Sequence, residues 1–108
     1  MESLKVAIDE ENELYIWKGT NSPIAFTEVD LTELKEGVES ILNGKLKSYS
    51  LNREKYKTFE IKQEKERYLL LGSKGHYLCN ENDLKRLIRF LRIYLETGFT
   101  KHFHPIDF

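Results

Sequence analysis

The sequence predicts an α+β fold in which a strand–strand–strand–helix unit occurs twice, forming an antiparallel sheet with both helices packed on one face. Three observations point there. Two stretches have helical periodicity, Asp30–Leu42 (DLTELKEGVESIL) and Asp83–Leu95 (DLKRLIRFLRIYL). Each follows three short runs of strand character separated by turn residues. The two segments also align without gaps at an offset of 53, with 10 identities over the 35 positions 8–42. Unrelated sequence would give about two or three at ordinary residue frequencies. The expectation is an internal duplication, with units 4–43 and 57–96 joined by a basic linker 44–56 into one domain, 1–108.

Leu4–Glu10 alternates Leu4, Val6 and Ile8 against Lys5, Ala7 and Asp9, the pattern of a half-buried strand. Glu10-Glu11-Asn12 is a polar turn, and Glu13–Lys18 is a second strand rich in aromatic and β-branched residues. Leu14 and Ile16 on one face and Tyr15 and Trp17 on the other make that strand apolar on both sides. Such a strand is normally covered twice. Gly19–Pro23 has turn chemistry, and Ile24–Val29 is a third strand. Asp30 is positioned to cap the first helix, with Glu33 three residues on. Leu31, Leu34, Val38, Ile41 and Leu42 share a helix face, and Asn43-Gly44 ends it.

Lys45–Lys55 is polar and poorly periodic, a linker with room for one short strand. Tyr56–Lys62, Glu66–Leu71 and His76–Cys79 then supply three more strands, and Asp83 is placed to cap the second helix. Its core stripe is Leu84, Leu87, Ile88, Leu91, Tyr94 and Leu95, with Gly98 as its stop. The stretch after each helix is similar, GKLKSYS and GFTKHFH, so the tail is expected to be extended and ordered. Gly37 and Phe90 occupy equivalent flanks of the two helices, and Phe90 is expected to fill the space beside Gly37. Neither unit has enough apolar surface to bury its stripe alone, so the two should share a core.

Charge is divided unevenly. Residues 1–43 carry 10 acidic and 3 basic side chains, a balance of −7, while residues 44–108 carry 14 basic and 8 acidic, a balance of +6. The inversion is sharpest on the helices, where Glu33, Glu36 and Glu39 are answered by Arg86, Arg89 and Arg92. No apolar run is long enough to span a membrane. The opening MESLKVAIDE lacks a basic region followed by an apolar stretch, and Cys79 is the single cysteine. A cytoplasmic protein is therefore expected.

Motifs for chemistry are sparse. His102-x-His104 could offer two ligands, with His76 and Cys79 as the remaining soft or imidazole candidates. Paired ligand spacing is missing, and no metal is expected. Cys79 aligns with Phe26 at a core-type position and reads as a small buried hydrophobe rather than a nucleophile. The carboxylates Asp9, Glu10, Glu11 and Glu13 cluster on a turn and read as solvated. Gly72-x-x-Gly75 joins two strands instead of opening a helix, so it is no phosphate cradle, and no cofactor is expected.

These features predict a small non-enzymatic binding module that acts through protein–protein interaction as a homodimer. The interaction would use the apolar sheet face, buried in the homodimer, or the charged helix faces. There the second helix offers the docking residues Arg86, Arg89, Phe90, Arg92 and Ile93, since protein interfaces mix arginine with apolar anchors. The alternative is binding of single-stranded nucleic acid. Tyr15, Trp17 and Tyr68 would stack bases and Lys57, Lys62 and Lys74 would meet phosphates. In its order of strands and helices the chain resembles small single-stranded nucleic-acid binders such as the PUR-repeat and whirly families, which also pair sheet aromatics with basic residues. The arginine-and-aromatic signature of PUR repeats is absent, as is their fourth strand before the helix.

Overall fold

Short strands bounded by turns and two amphipathic helices succeed one another in the order the periodicity implies. They are β1 (Lys5–Ile8), β2 (Leu14–Trp17), β3 (Ile24–Phe26), α1 (Leu31–Leu42), β4 (Ser48–Leu51), β5 (Phe59–Glu64), β6 (Arg67–Leu71), β7 (His76–Cys79), α2 (Glu81–Thr97) and β8 (Ile106–Asp107). This computed structural model describes residues 3–53, 55–72 and 75–97 and the backbone of 106–107. Lys74, Gly98, His102 and His104 lie outside the described residues.

The fold is α+β, with two antiparallel sheets in place of the single sheet expected. One runs β3-β2-β1, with two residues of β8 added at its edge, and the other runs β4-β5-β6-β7. β1 and β5 cannot pair with each other because their outer edges are already taken. β4, which follows α1, pairs with β5, and β8, which follows α2, returns to β1. Each post-helix strand thus joins the sheet built by the other half of the chain.

The sheets and helices enclose one apolar cluster drawn from both halves, including Val6, Ile16, Phe26, Leu34, Phe59, Ile61, Leu70 and Leu87. Phe26 and Phe59 meet edge to face across it, with ring centroids 4.9 Å apart. That geometry adds about 0.5–1.5 kcal/mol beyond burial alone.

At both helix starts a capping pair reaches three residues upstream of the expected cap, to Thr27 and to Asn80. The third strand stops at Phe26, and Thr27 opens a 3-10 turn, Glu28–Asp30, that leads into α1. Asp30 occupies the N-cap position of α1 as expected, but its side chain makes no bond to the helix amides; its Oδ2 accepts instead from the Thr27 amide at 3.0 Å and from the Thr27 hydroxyl at 2.9 Å. Asn80 and Asp83 do the same for α2, with the Asp83 amide donating to Asn80 Oδ1 at 2.8 Å and the Asn80 amide to Asp83 Oδ2 at 3.3 Å. In both places the aspartate carboxylate reaches back three residues, as the inner member of a capping box. At the other end of α1, Gly44 adopts φ 77°, and the Lys45 amide reaches back to the Ser40 carbonyl at 2.9 Å. This ends the helix as expected.

Two packing expectations need correction. The space beside Gly37 is filled by the Tyr49 ring from β4, whose hydroxyl donates to the Glu33 carbonyl at 2.9 Å. Phe90 is instead buried in the core. The offset of 53 also fails in strand pairing. Ile8 pairs with Leu14, whereas its counterpart Ile61 pairs with Leu70. A longer β5–β6 hairpin slides β6 along its neighbour. Because side chains alternate along a strand, the odd shift turns Tyr68 and Leu70 inward, while Tyr15 and Trp17 stay half-buried on the other side of β2.

Candidate functional site

On the helix pair, exposed charge and exposed apolar surface lie side by side. On α1, Leu31, Leu34, Gly37, Val38 and Ile41 face the core, leaving Glu33 and Glu36 in solvent. On α2, Leu84, Leu87, Ile88, Phe90, Leu91 and Tyr94 are buried, while Arg89, Arg92 and Ile93 are exposed and Arg86 is half-buried. Ile93 keeps 45% of its surface accessible and is flanked on the helix by exposed Arg89 and Arg92.

The opposed charges of the helices meet at one point. Arg92 donates from Nη2 to Glu39 Oε2 at 2.6 Å and from Nε at 3.1 Å. Lys35 approaches the other oxygen of Glu39 at 3.3 Å. Arg92, and less strongly Lys35, hold the Glu39 carboxyl below the usual glutamate range despite its burial. One of the three inverted pairs is therefore used inside the molecule, between equivalent positions of the packed helices. Among the described residues, Glu33, Glu36, Arg86 and Arg89 have no ion-pair partner.

Beside this pair lies a groove of about 530 Å³. Leu42 and Ile88 contribute apolar walls, Ile93 an apolar rim, and Lys85 and Arg89 positive charge. Lys85 is paired with Glu81 one turn earlier at 3.1 Å, an exposed contact of little energetic weight. Of the expected docking residues, Arg89, Arg92 and Ile93 border this groove and Arg86 lies nearby on α2, whereas Phe90 is only 5% exposed and belongs to the core. Sequence reading missed the walls Leu42 and Ile88, which look like ordinary core positions on a helical wheel.

The residues of the nucleic-acid alternative are not brought together. Tyr15 and Trp17 lie in one sheet and Tyr68 in the other, where Tyr68 is only 7% exposed. The Tyr15 hydroxyl donates to Asp9 at 3.0 Å and to Glu13 at 3.1 Å, so its surroundings are anionic. Burial and these two carboxylates push its pKa well above the usual tyrosine value. Lys57 and Lys62 are exposed on the second half of the chain.

The carboxylates read as a solvated turn are in part a built cluster. Glu13 is buried and accepts from Lys55 at 2.5 Å, Tyr56 at 2.8 Å and Tyr15 at 3.1 Å, which together lower its pKa. Asp9 is pulled up by burial, but the amides of Glu13 and Glu11 and the Tyr15 hydroxyl outweigh that and lower it. This cluster ties Lys55 and Tyr56 to the β1–β2 hairpin. Arg53 adds a second tie. Its Nε donates to the Lys57 carbonyl at 2.7 Å, Nη1 reaches the Ala25 carbonyl, and the guanidinium lies 5.0 Å from the Phe26 ring centre.

Ala25 is on edge strand β3, and the counterpart position on edge strand β7 is Leu78. Its carbonyl accepts from Lys18 Nζ at 2.8 Å. Each of these sheet edges therefore has a basic side chain on a main-chain acceptor, which discourages addition of a foreign strand. Cys79 is buried, and burial foremost pushes its thiol up to about 12, so it is a poor nucleophile. Among the described residues, no three histidine, cysteine, aspartate or glutamate side chains are grouped to hold a metal ion. No described helix is long and apolar enough to cross a membrane. No family model, curated protein or solved structure matches this chain.

Proposed function

We propose that this protein is a non-enzymatic binding module that docks a protein partner on the exposed face of α2, with self-association as its oligomeric mode. The observation that carries this reading is Ile93, an exposed aliphatic side chain bordering a groove with Leu42 and Ile88 and flanked by Arg89, whose guanidinium has no ion-pair partner among the described residues. Arginine around a desolvated apolar anchor is the composition of protein interfaces. A face that tracks phosphates would be basic and mostly free of aliphatics.

The duplication belongs to the same reading. It is supported by the matching strand order of the two sheets, by capping boxes at Thr27–Asp30 and Asn80–Asp83, and by the basic side chains on Ala25 and Leu78. A doubled module whose helices have opposite charge presents two different docking faces from one scaffold.

The test compares Ile93→Asp with Arg89→Ala for retention of a bound protein and for solution mass. Ile93→Asp should disrupt binding more, because it sets a charge in a desolvated patch. Mobility shifts with single-stranded DNA and RNA across a salt series run alongside. The reading fails if Ile93→Asp changes neither quantity while reversal of Arg86, Arg89 and Arg92 abolishes nucleic-acid binding with a steep salt slope.

A further inference from the structure

The two helices carry stripes of complementary charge and matching spacing on their exposed faces. On α1 and the turn before it, Val29, Glu33 and Glu36 are exposed, Val29 to 82%. On α2, Ile93 and Arg89 are exposed and Arg86 half-buried. Read forward, the acidic stripe has an apolar residue, then a carboxylate four positions on, then another three further. Read backward, the basic stripe has an apolar residue, then a guanidinium four positions away, then another three further. Both stripes span eight residues, seven helical steps or about 10 Å.

We infer that α1 of one copy docks antiparallel against α2 of a second copy, so that Val29 meets Ile93, Glu33 meets Arg89 and Glu36 meets Arg86. The inference rests on the α2 docking face proposed above and names its occupant. Charge complementarity selects the second copy, because the third inverted pair, Glu39 and Arg92, already shows these helix faces pairing at 2.6 Å within the chain. The two apolar residues supply what an exposed ion pair lacks, since such pairs alone contribute little. Each copy presents both faces, so the contact closes as a pair when it is made twice about a two-fold axis, and otherwise repeats head to tail until a ring closes.

Sedimentation velocity of the full chain over a concentration series tests this, with melting curves confirming that each variant is folded. Wild type should associate as concentration rises, and raising the salt to about 0.5 M should weaken it. Glu33→Arg and Arg89→Glu should each weaken association by roughly tenfold or more, as like charges are brought together. An equimolar mixture of the two variants should associate again, since the reversed residue of one then faces the reversed residue of the other. Val29→Asp should weaken association as Ile93→Asp does.

A wild type that stays monomeric overturns the inference, and so does a mixture that associates no better than either variant alone. If the chain is monomeric yet loses a bound protein on Ile93→Asp, self-docking is wrong and the α2 docking face stands. Absence of both self-association and partner loss removes both.

Discussion

Replacing Gly37 with alanine should destabilise this protein, although alanine is the better helix former by about 1 kcal/mol. The reason is Tyr49. A Cβ built on Gly37 would lie only 2.5 Å from Cε1 of the Tyr49 ring and closer still to its tip, a separation real side chains do not reach. The ring must swing away. Doing so breaks the 2.9 Å bond from its hydroxyl to the Glu33 carbonyl, worth about 0.5–1.5 kcal/mol. It also uncovers the part of the ring packed against α1, at roughly 1–2 kcal/mol for a partly buried aromatic. Set against the propensity gain, the net loss for Gly37→Ala is about 1–2 kcal/mol.

Urea denaturation gives that number, and a second background gives its cause. In Tyr49→Ala the ring is absent, so Gly37→Ala should there stabilise by about 1 kcal/mol, the propensity term alone. The ring's ionisation offers a separate readout. Burial, together with Glu33, Glu36 and Asp30, pushes the Tyr49 hydroxyl up to about 12, and stability linked to it is present below the ordinary tyrosine value and lost as pH rises through 12. Ultraviolet titration of Gly37→Ala should bring that ionisation back towards about 10. Stabilisation by Gly37→Ala in the wild-type background, or the same effect in both backgrounds, would refute the argument.

Three further outcomes are expected. Glu13 titrates below its ordinary value in the folded protein, so its stabilisation is present above about pH 4.3 and lost as pH falls through the lowered value; Glu13→Gln should lower stability at neutral pH by about 1–2 kcal/mol and flatten the acid limb of a stability–pH curve. Arg53→Lys cannot keep the planar set of bonds to the Lys57 and Ala25 carbonyls and should cost roughly 2–3 kcal/mol in a urea melt, with Arg53→Ala also raising light scattering as the β3 edge is uncovered. Cys79 should resist a thiol reagent in the native protein at pH 8 and react fully once unfolded; equal rates in both states would show the side chain is not buried.

The sequence alone determined what depends on near neighbours. Helical periodicity located both helices and their buried stripes, Asn43-Gly44 marked the end of α1, and alternation with turn residues located the strands, one of them inside the linker. The charge inversion between Glu33, Glu36, Glu39 and Arg86, Arg89, Arg92 was equally plain, and with it Ile93 as an aliphatic residue in the wrong company. The cap positions were legible too, as Thr27-x-x-Asp30 and Asn80-x-x-Asp83, but aspartate serves both as a cap and as the residue that reaches back to one. Local pattern does not separate those roles.

Tertiary structure decided what depends on partners distant in the chain. The exchange of β4 and β8 between the halves splits the expected sheet in two, because strand edges are chosen by which strands arrive beside them. Hairpin length set the register of β6 and put Tyr68 in the core, since one residue of slip reverses every side chain on a strand. The filling of Gly37 by Tyr49 rather than Phe90 follows from the path of β4 across α1. Glu39 and Arg92 became an internal ion pair only because the helices pack against each other there. Periodicity reports which way a side chain points, and the element it meets is fixed by how the whole chain closes.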